Sequence, residues 1–316
     1  MAMPSTTIVF PGQGTQRAGM GRDFYDWSAD ARAAYDEASE ALGLDLCALC
    51  FGDDERLGLT EFAQPAILAT EVAMHRAVVA ELGLEASCFG GHSLGEYTAL
   101  VVAGAMPLGD AVRLVHERGR LMQQAVPLGE GGMTAVIGEA LDRDAISTAI
   151  DELQVGIAND NSGTQIVLSG LTTDLTIAQA RITVALGADH VRFVDLEVSA
   201  PFHSPLMAGI EPAFEDLLDG SRAKLDASRA TLVTSNFTGA FHEADDDALI
   251  QRLVRQISGT VRWRSNMEAL AARCARVIEI GPGRPLRAFF KTLGVEVQTI
   301  TDVRSATRVA MASLAR

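Results

Sequence analysis

Basic side chains are scarce in this chain of 316 residues: 26 Lys and Arg face 41 Asp and Glu, a formal net charge of -15. That deficit argues against a general nucleic-acid binder or a protein of anionic membrane surfaces, while leaving room for one local basic dock. Lys and Arg are missing altogether from Met1 to Gln16, which removes the basic start that a secretory leader requires. Long apolar runs are missing too. The stretches from Ile67 to Leu82 and from Leu100 to Val115 are broken by Glu71, His75, Arg76, Glu81, Asp110 and Arg113, short of the roughly 18 apolar residues that span a bilayer. A cytoplasmic protein with no membrane partner is the expectation.

Cysteine is also sparse, and four in a chain this long do not make a disulfide scaffold. Cys88 and Cys274 each stand isolated in apolar surroundings and read as reduced core residues. Cys47-Ala48-Leu49-Cys50 has C-x-x-C spacing, but no second pair or His-rich segment lies near it, so it reads as the end of an amphipathic helix and no metal site is expected. What the chain does have is 48% hydrophobic and 21% charged side chains, enough for one large core or two smaller ones, which excludes disorder and fibrous folds.

Short β-like runs, Ile8-Val9-Phe10 and Ala86 to Gly90, stop at glycine-containing turns, and helix-period patterns cover Ser28 to Leu49 and Gln64 to Leu82. This alternation predicts an α/β domain with a parallel sheet. After Pro127 the pattern changes. Strand-like Met133 to Ile137, helix-like Leu141 to Leu153, strands Val155 to Ala158 and Gln165 to Leu168 around a turn at Asn159 to Gly163, helix Asp174 to Leu186 and strand Val191 to Leu196 follow in turn. The order βαββαβ is that of a ferredoxin-like unit. The expected organisation is therefore a large catalytic domain from residues 1–128 and 199–316, interrupted by a small subdomain at 129–198. In the C-terminal part, Leu232 to Phe237 and Val277 to Ile280 read as strands, and Ala248 to Ile257 and Met267 to Cys274 as helices.

Gly91-His92-Ser93-Leu94-Gly95 matches G-x-S-x-G between a strand-like run and the helix-like Glu96 to Ala105, the setting of a nucleophile elbow in an α/β-hydrolase-like domain. Glycines let the chain turn sharply, project the Ser93 hydroxyl and aim the Leu94 N–H at a developing oxyanion. A serine hydroxyl needs a base within hydrogen-bond reach. Of six histidines, His75 and His116 fall inside helical patterns, His190 begins a strand and His92 adjoins the serine. His242, between a strand and an acidic loop, reads as an exposed hairpin residue. His203 lies between Pro201 and Pro205 on a rigid loop at the domain junction, where a catalytic base belongs. Gly12-x-Gly14 after a strand could open a dinucleotide loop, but position 17 is Arg rather than the third glycine.

Phe10-Pro11-Gly12-Gln13-Gly14-Thr15-Gln16, Thr60 to Ala66, Gly91 to Glu96, Phe202-His203-Ser204-Pro205-Leu206-Met207 and Glu279 to Gly283 lie in an order that, together, resembles the malonyl-CoA:acyl-carrier-protein transacylase family. The resemblance implies a Ser93–His203 dyad with no acidic third member, exchanging CoA for a carrier-protein thiol by a ping-pong route. It also implies that groups near Gln256 orient the histidine and that the second oxyanion donor is the Gln13 N–H. Arg118 matches the family arginine that grips a malonyl carboxylate, through paired charge-assisted bonds worth roughly 1.5 to 3 kcal/mol each. An uncharged acyl chain would leave that charge unpaired, at a cost of about 3 to 5 kcal/mol, enough to favour malonyl over acetyl about a hundredfold or more. Phe202 resembles the malonyl-selecting form of its loop.

The implied partners are an acyl-CoA, as substrate rather than bound cofactor, and an acidic acyl carrier protein. Arg252, Arg255, Arg262 and Arg264, then Arg284, Arg287 and Lys291, concentrate positive charge in the last quarter of the chain as candidate docking residues. Arg284 to Lys291 departs from the form expected of the fatty-acid enzyme, which leaves fatty-acid and polyketide settings both open. A proofreading acyl hydrolase, a transferase for a larger dicarboxylic unit and a non-catalytic docking module remain alternatives.

Overall fold

The computed structural model describes residues 5–314, so Met1 to Pro4, the start of the stretch without Lys or Arg, lie outside the described residues. Its strands are β1 (Thr6–Phe10), β2 (Cys88–Gly91), β3 (Gly131–Ile137), β4 (Val155–Ser162), β5 (Gln165–Leu171), β6 (Arg192–Asp195), β7 (Arg276–Ile280) and β8 (Val297–Ile300). Four form a parallel sheet in the order β2-β1-β7-β8. All five residues of β1 are buried, as a central strand covered on both faces requires, which is why Thr7-Ile8-Val9-Phe10 shows no polar alternation.

The main covering helix, Thr60–Leu82, is buried along most of its length and ends at Gly83, whose φ of 60° suits only the left-handed cap. Leu108–Gln124 packs beside it so closely that a Cβ on Gly119 would lie 2.7 Å from Glu61 Cα. The pattern read as one helix from Ser28 to Leu49 is two: Ala29–Leu42 ends at Gly43 (φ 66°), and Asp45 caps a new short helix, Leu46–Phe51, which carries both Cys47 and Cys50.

The second sheet is antiparallel, in the order β4-β5-β3-β6, and uses only contiguous residues 131–195. Its helices Arg143–Ala149 and Thr172–Leu186 follow β3 and β5, and Val136, Ile146, Ile166, Leu168 and Ile182 form a core of their own. The turn expected at Asn159 to Gly163 is shorter. β4 continues through Ser162 by two irregularities, leaving Gly163 and Thr164 to connect it to β5. Asp160 N–H donates to the Val261 carbonyl (3.0 Å) and Val261 N–H to that of Ala158 (2.8 Å), so the edge of this sheet is stitched to the body around the first one.

Leu232 to Phe237 is not a strand. Val233 and Thr234 make only single-residue bridges, to Phe89 and Phe241, because the chain doubles back at Gly239 (φ 73°). The expected helices of the C-terminal part lie slightly earlier, at Asp246–Arg255 and Trp263–Arg273, and the elbow helix is Gly95–Val102. Strand β8 and the helix Val303–Leu314 were not foreseen. No helix of the described residues is long and apolar enough to cross a membrane.

Candidate active site

β2 ends at Gly91, and the chain turns at Ser93 into the helix Gly95–Val102. The turn is so tight that a Cβ on Gly91 would meet the Gly95 carbonyl carbon at 1.9 Å, and one on Gly95 would meet Phe10 O at 2.3 Å. Ser93 takes a φ of 51°; among the described non-glycine residues only Glu152 and His203 (56°) share a positive value. Such conformations cost on the order of 1–3 kcal/mol each and persist where the surroundings enforce them.

Those two strained residues meet. Ser93 Oγ lies 2.7 Å from His203 Nε2, and His203 Nδ1 lies 2.7 Å from the Gln256 carbonyl oxygen. A carbonyl can only accept, so Nδ1 carries the proton and the Nε2 lone pair faces the serine. Burial, then the nearby Arg118 guanidinium, push the imidazole down to about 3, which keeps it neutral and able to accept a proton.

Arg118, from the helix Leu108–Gln124, is 2% exposed. One nitrogen donates to Gln64 Oε1 (2.9 Å), the other to Gln256 Oε1 (3.0 Å) and to Ser93 Oγ (3.3 Å), while the guanidinium lies 5.4 Å from the Tyr97 ring centroid. These hydrogen-bond partners are all uncharged, so the site holds a fixed cation beside the Ser93 hydroxyl, suited to an anionic ligand group. Phe202, next to His203, is buried.

Leu94 is the N-cap of the elbow helix, so its N–H is among the amides at the helix start that have no partner inside the helix. The Pro11-Gly12-Gln13 loop packs directly on the elbow, where a Cβ on Gly12 would lie 2.5 Å from His92 O. The Gln13 side chain donates to Thr60 Oγ1 (3.2 Å). Gln256 is fully buried, its amide donating to Ser93 O (3.2 Å) and Glu96 Oε2 (2.6 Å).

Sequence reading missed the group beneath. His242 is not an exposed hairpin residue but 3% exposed, with Nε2 2.8 Å from Glu96 Oε1. The acidic loop after it suggested exposure; the contact joins positions 146 apart and leaves no local pattern. Asn236 adds to the group, donating through its side chain to Gly91 O (2.9 Å) and through its backbone to Glu96 Oε2 (2.9 Å). His92 turns away from the dyad to Asn161 (2.8 Å), His116 bonds the Glu61 carbonyl (2.8 Å), and His190 lies exposed just ahead of β6.

Cys88 and Cys274 are not isolated from each other: their sulfurs lie 3.1 Å apart, both free thiols, and burial pushes the Cys88 thiol up to about 12. Among the described residues no group of His, Cys, Asp and Glu could hold a metal ion. Arg284, Arg287 and Lys291 are exposed on and just before the helix Leu286–Lys291, whose first amides are held by the buried Glu279 carboxylate at 2.9 Å. Arg252, Arg255 and Arg264 are engaged with Glu243, Glu211 and Glu268.

Residues 7–307 match the family model described as the acyl transferase domain. The chain is 37% identical to the malonyl CoA-acyl carrier protein transacylase of Bacillus subtilis strain 168, covering 94% of this chain and 93% of that protein. It is 39% identical to the protein of the same name from Escherichia coli K12, covering 95% of each. A solved complex described as a type II PKS acyl-carrier protein with its malonyl-transacylase, PlMCAT:AntF, superposes with a TM-score of 0.90 at 34% identity, covering 98% of this chain and 99% of that one. With these motifs collinear along it, the chain belongs to the acyl transferase domain family and, within it, to the malonyl CoA-acyl carrier protein transacylases.

Proposed function

We propose that this protein moves a malonyl group from CoA to the phosphopantetheine thiol of an acyl carrier protein through an ester on Ser93, in fatty-acid or polyketide synthesis. One observation carries the reading: the buried Arg118 guanidinium 3.3 Å from the Ser93 hydroxyl that is itself paired to His203.

In the first half-reaction Ser93 Oγ attacks the thioester carbonyl carbon while His203 Nε2 takes the hydroxyl proton. The oxyanion is received by the N–H groups of Leu94 and Gln13. The C–S bond then breaks, and the proton passes from His203 to the departing CoA sulfur. In the second half the carrier thiol gives its proton to His203 as its sulfur attacks the ester carbonyl; the bond from the acyl carbon to Ser93 Oγ then breaks, and His203 returns the proton to Ser93 Oγ. The Gln256 carbonyl fixes the productive tautomer throughout, and the free carboxylate of the malonyl group lies against Arg118. No bound cofactor takes part, since the CoA thioester is the substrate. Phe202 narrows the space beside the acyl α-carbon and favours malonyl over substituted units.

Arg284, Arg287 and Lys291 supply the positive surface for an acidic carrier protein. In this reading 1–128 and 199–316 form an α/β-hydrolase-like catalytic domain, 129–198 is a ferredoxin-like insertion matching the βαββαβ order, and the protein works in the cytoplasm.

Arg118→Ala tests the clamp. Malonyl transfer from CoA should fall about a hundredfold or more, the worth of a buried ionic clamp, while acetyl transfer changes little. An equal loss for both acyl groups would remove Arg118 from substrate recognition.

A further inference from the structure

We propose that His242 is a positioning residue of this acyl-transfer site, holding Glu96 so that Glu96 in turn holds the Gln256 side chain against Ser93 and Arg118; the inference rests on the Ser93–His203 reading above. Glu96 is a fully buried carboxylate two hydrogen bonds from the nucleophile. Its Oε2 receives the Asn236 backbone and side-chain amides and Gln256 Nε2, whereas its Oε1 receives one donor, His242 Nε2 at 2.8 Å.

Gln256 is where this matters. Its carbonyl oxygen orients His203, its Oε1 accepts from Arg118, and its Nε2 is shared between Ser93 O and Glu96. Asn236, bonded to the same carboxylate, accepts from the Ser93 N–H (3.4 Å) and donates to Gly91 O (2.9 Å). Base, clamp and elbow therefore converge on Glu96.

Without His242 one oxygen of Glu96 would be a buried anion with no donor, and it could be satisfied only by rotating the carboxylate away from Gln256. The ring is suited to the task. A carboxylate accepts, so the proton sits on Nε2, and His242 Nδ1, buried without a partner, is then a bare lone pair rather than an unmatched N–H. The backbone fixes the ring's place through His242 N–H donating to Val233 O (2.9 Å).

The test compares His242→Phe, which fills the space without a donor, with His242→Gln, whose amide can still donate to Glu96. Single-turnover acylation by malonyl- and acetyl-CoA is measured at a temperature where circular dichroism shows each variant folded. His242→Phe should lose about tenfold to a hundredfold in the acylation rate constant and part of its malonyl preference, as displacing groups that position a site does. His242→Gln should recover most of both.

A wild-type acylation rate and selectivity in the folded Phe variant, or equal impairment of the Gln variant, would overturn the proposal. If the Phe variant does not fold, His242→Leu carries the same comparison. Ser93→Ala runs alongside: residual acylation there would overturn the reading of Ser93 itself, whatever His242 does.

Discussion

A backbone carbonyl orients His203 where a carboxylate could have done so, and the choice has electrostatic consequences. Burial, then the Arg118 charge, lower the affinity of the imidazole for a second proton by more than the neutral Gln256 carbonyl raises it, and the balance lies at about 3. In the proposed mechanism the base is then ready over the whole neutral and mildly acidic range. Acylation of Ser93 in a stopped-flow assay should stay level from about pH 8 to about pH 5, whereas a fall centred near 6.5, the ordinary histidine value, would contradict the burial argument. Stability moves with the same group. Its folded value lies below its unfolded one, so the unfolded chain takes up the proton first. The contribution is present above about 6.5 and is lost as pH falls toward 3, by about 1.4 kcal/mol per unit in that window. Replacing His203 by Leu should flatten the acid limb of thermal melts; an unchanged limb would place the titration elsewhere.

At the scale of elements, the elbow was legible because its constraint is local. Glycines at 91 and 95 cross at a distance no side chain tolerates, and that requirement is written in adjacent positions. Gly91→Ala should destabilise the fold by about 1–3 kcal/mol or more and displace Ser93 from His203. Chemical denaturation and the acylation rate would report it, and a variant with both properties of the wild type would show that the crossing is looser than the geometry requires. The βαββαβ order of the second sheet was legible for a similar reason, since each of its elements has its own period and its own turn. Elements defined by distant partners were not. Leu232 to Phe237 has the composition of a strand yet pairs through single residues, β8 is a short edge strand with weak alternation, and the His242–Glu96 contact depends wholly on burial. Arg118 on sequence alone is one more arginine on a helix; its burial is what separates it from a surface residue.

For the whole molecule, a net charge of -15 would repel an acidic carrier protein, and in the proposed function Arg284, Arg287 and Lys291 offset that repulsion locally. These three exposed residues lie beyond the Gly281-Pro282-Gly283 turn, which packs on Pro11 of the loop carrying Gln13, so the basic surface adjoins the loops of the site. Arg287→Glu combined with Lys291→Glu should raise KM for the carrier protein about tenfold or more at low salt, with the effect shrinking as salt is added, and leave acylation by malonyl-CoA unchanged. Loss of the CoA half-reaction instead would assign these residues to the substrate rather than the partner.

The measurement that reaches the central claim most directly is intact-protein mass spectrometry after brief exposure to a mixture of malonyl-, methylmalonyl- and acetyl-CoA, followed by peptide mapping, with Ser93→Ala in parallel. The expected result is a single malonyl group on Ser93 of the wild type and none on the variant. An adduct that survives in Ser93→Ala, or an acetyl adduct formed as readily as the malonyl one, would contradict the assignment of nucleophile and clamp.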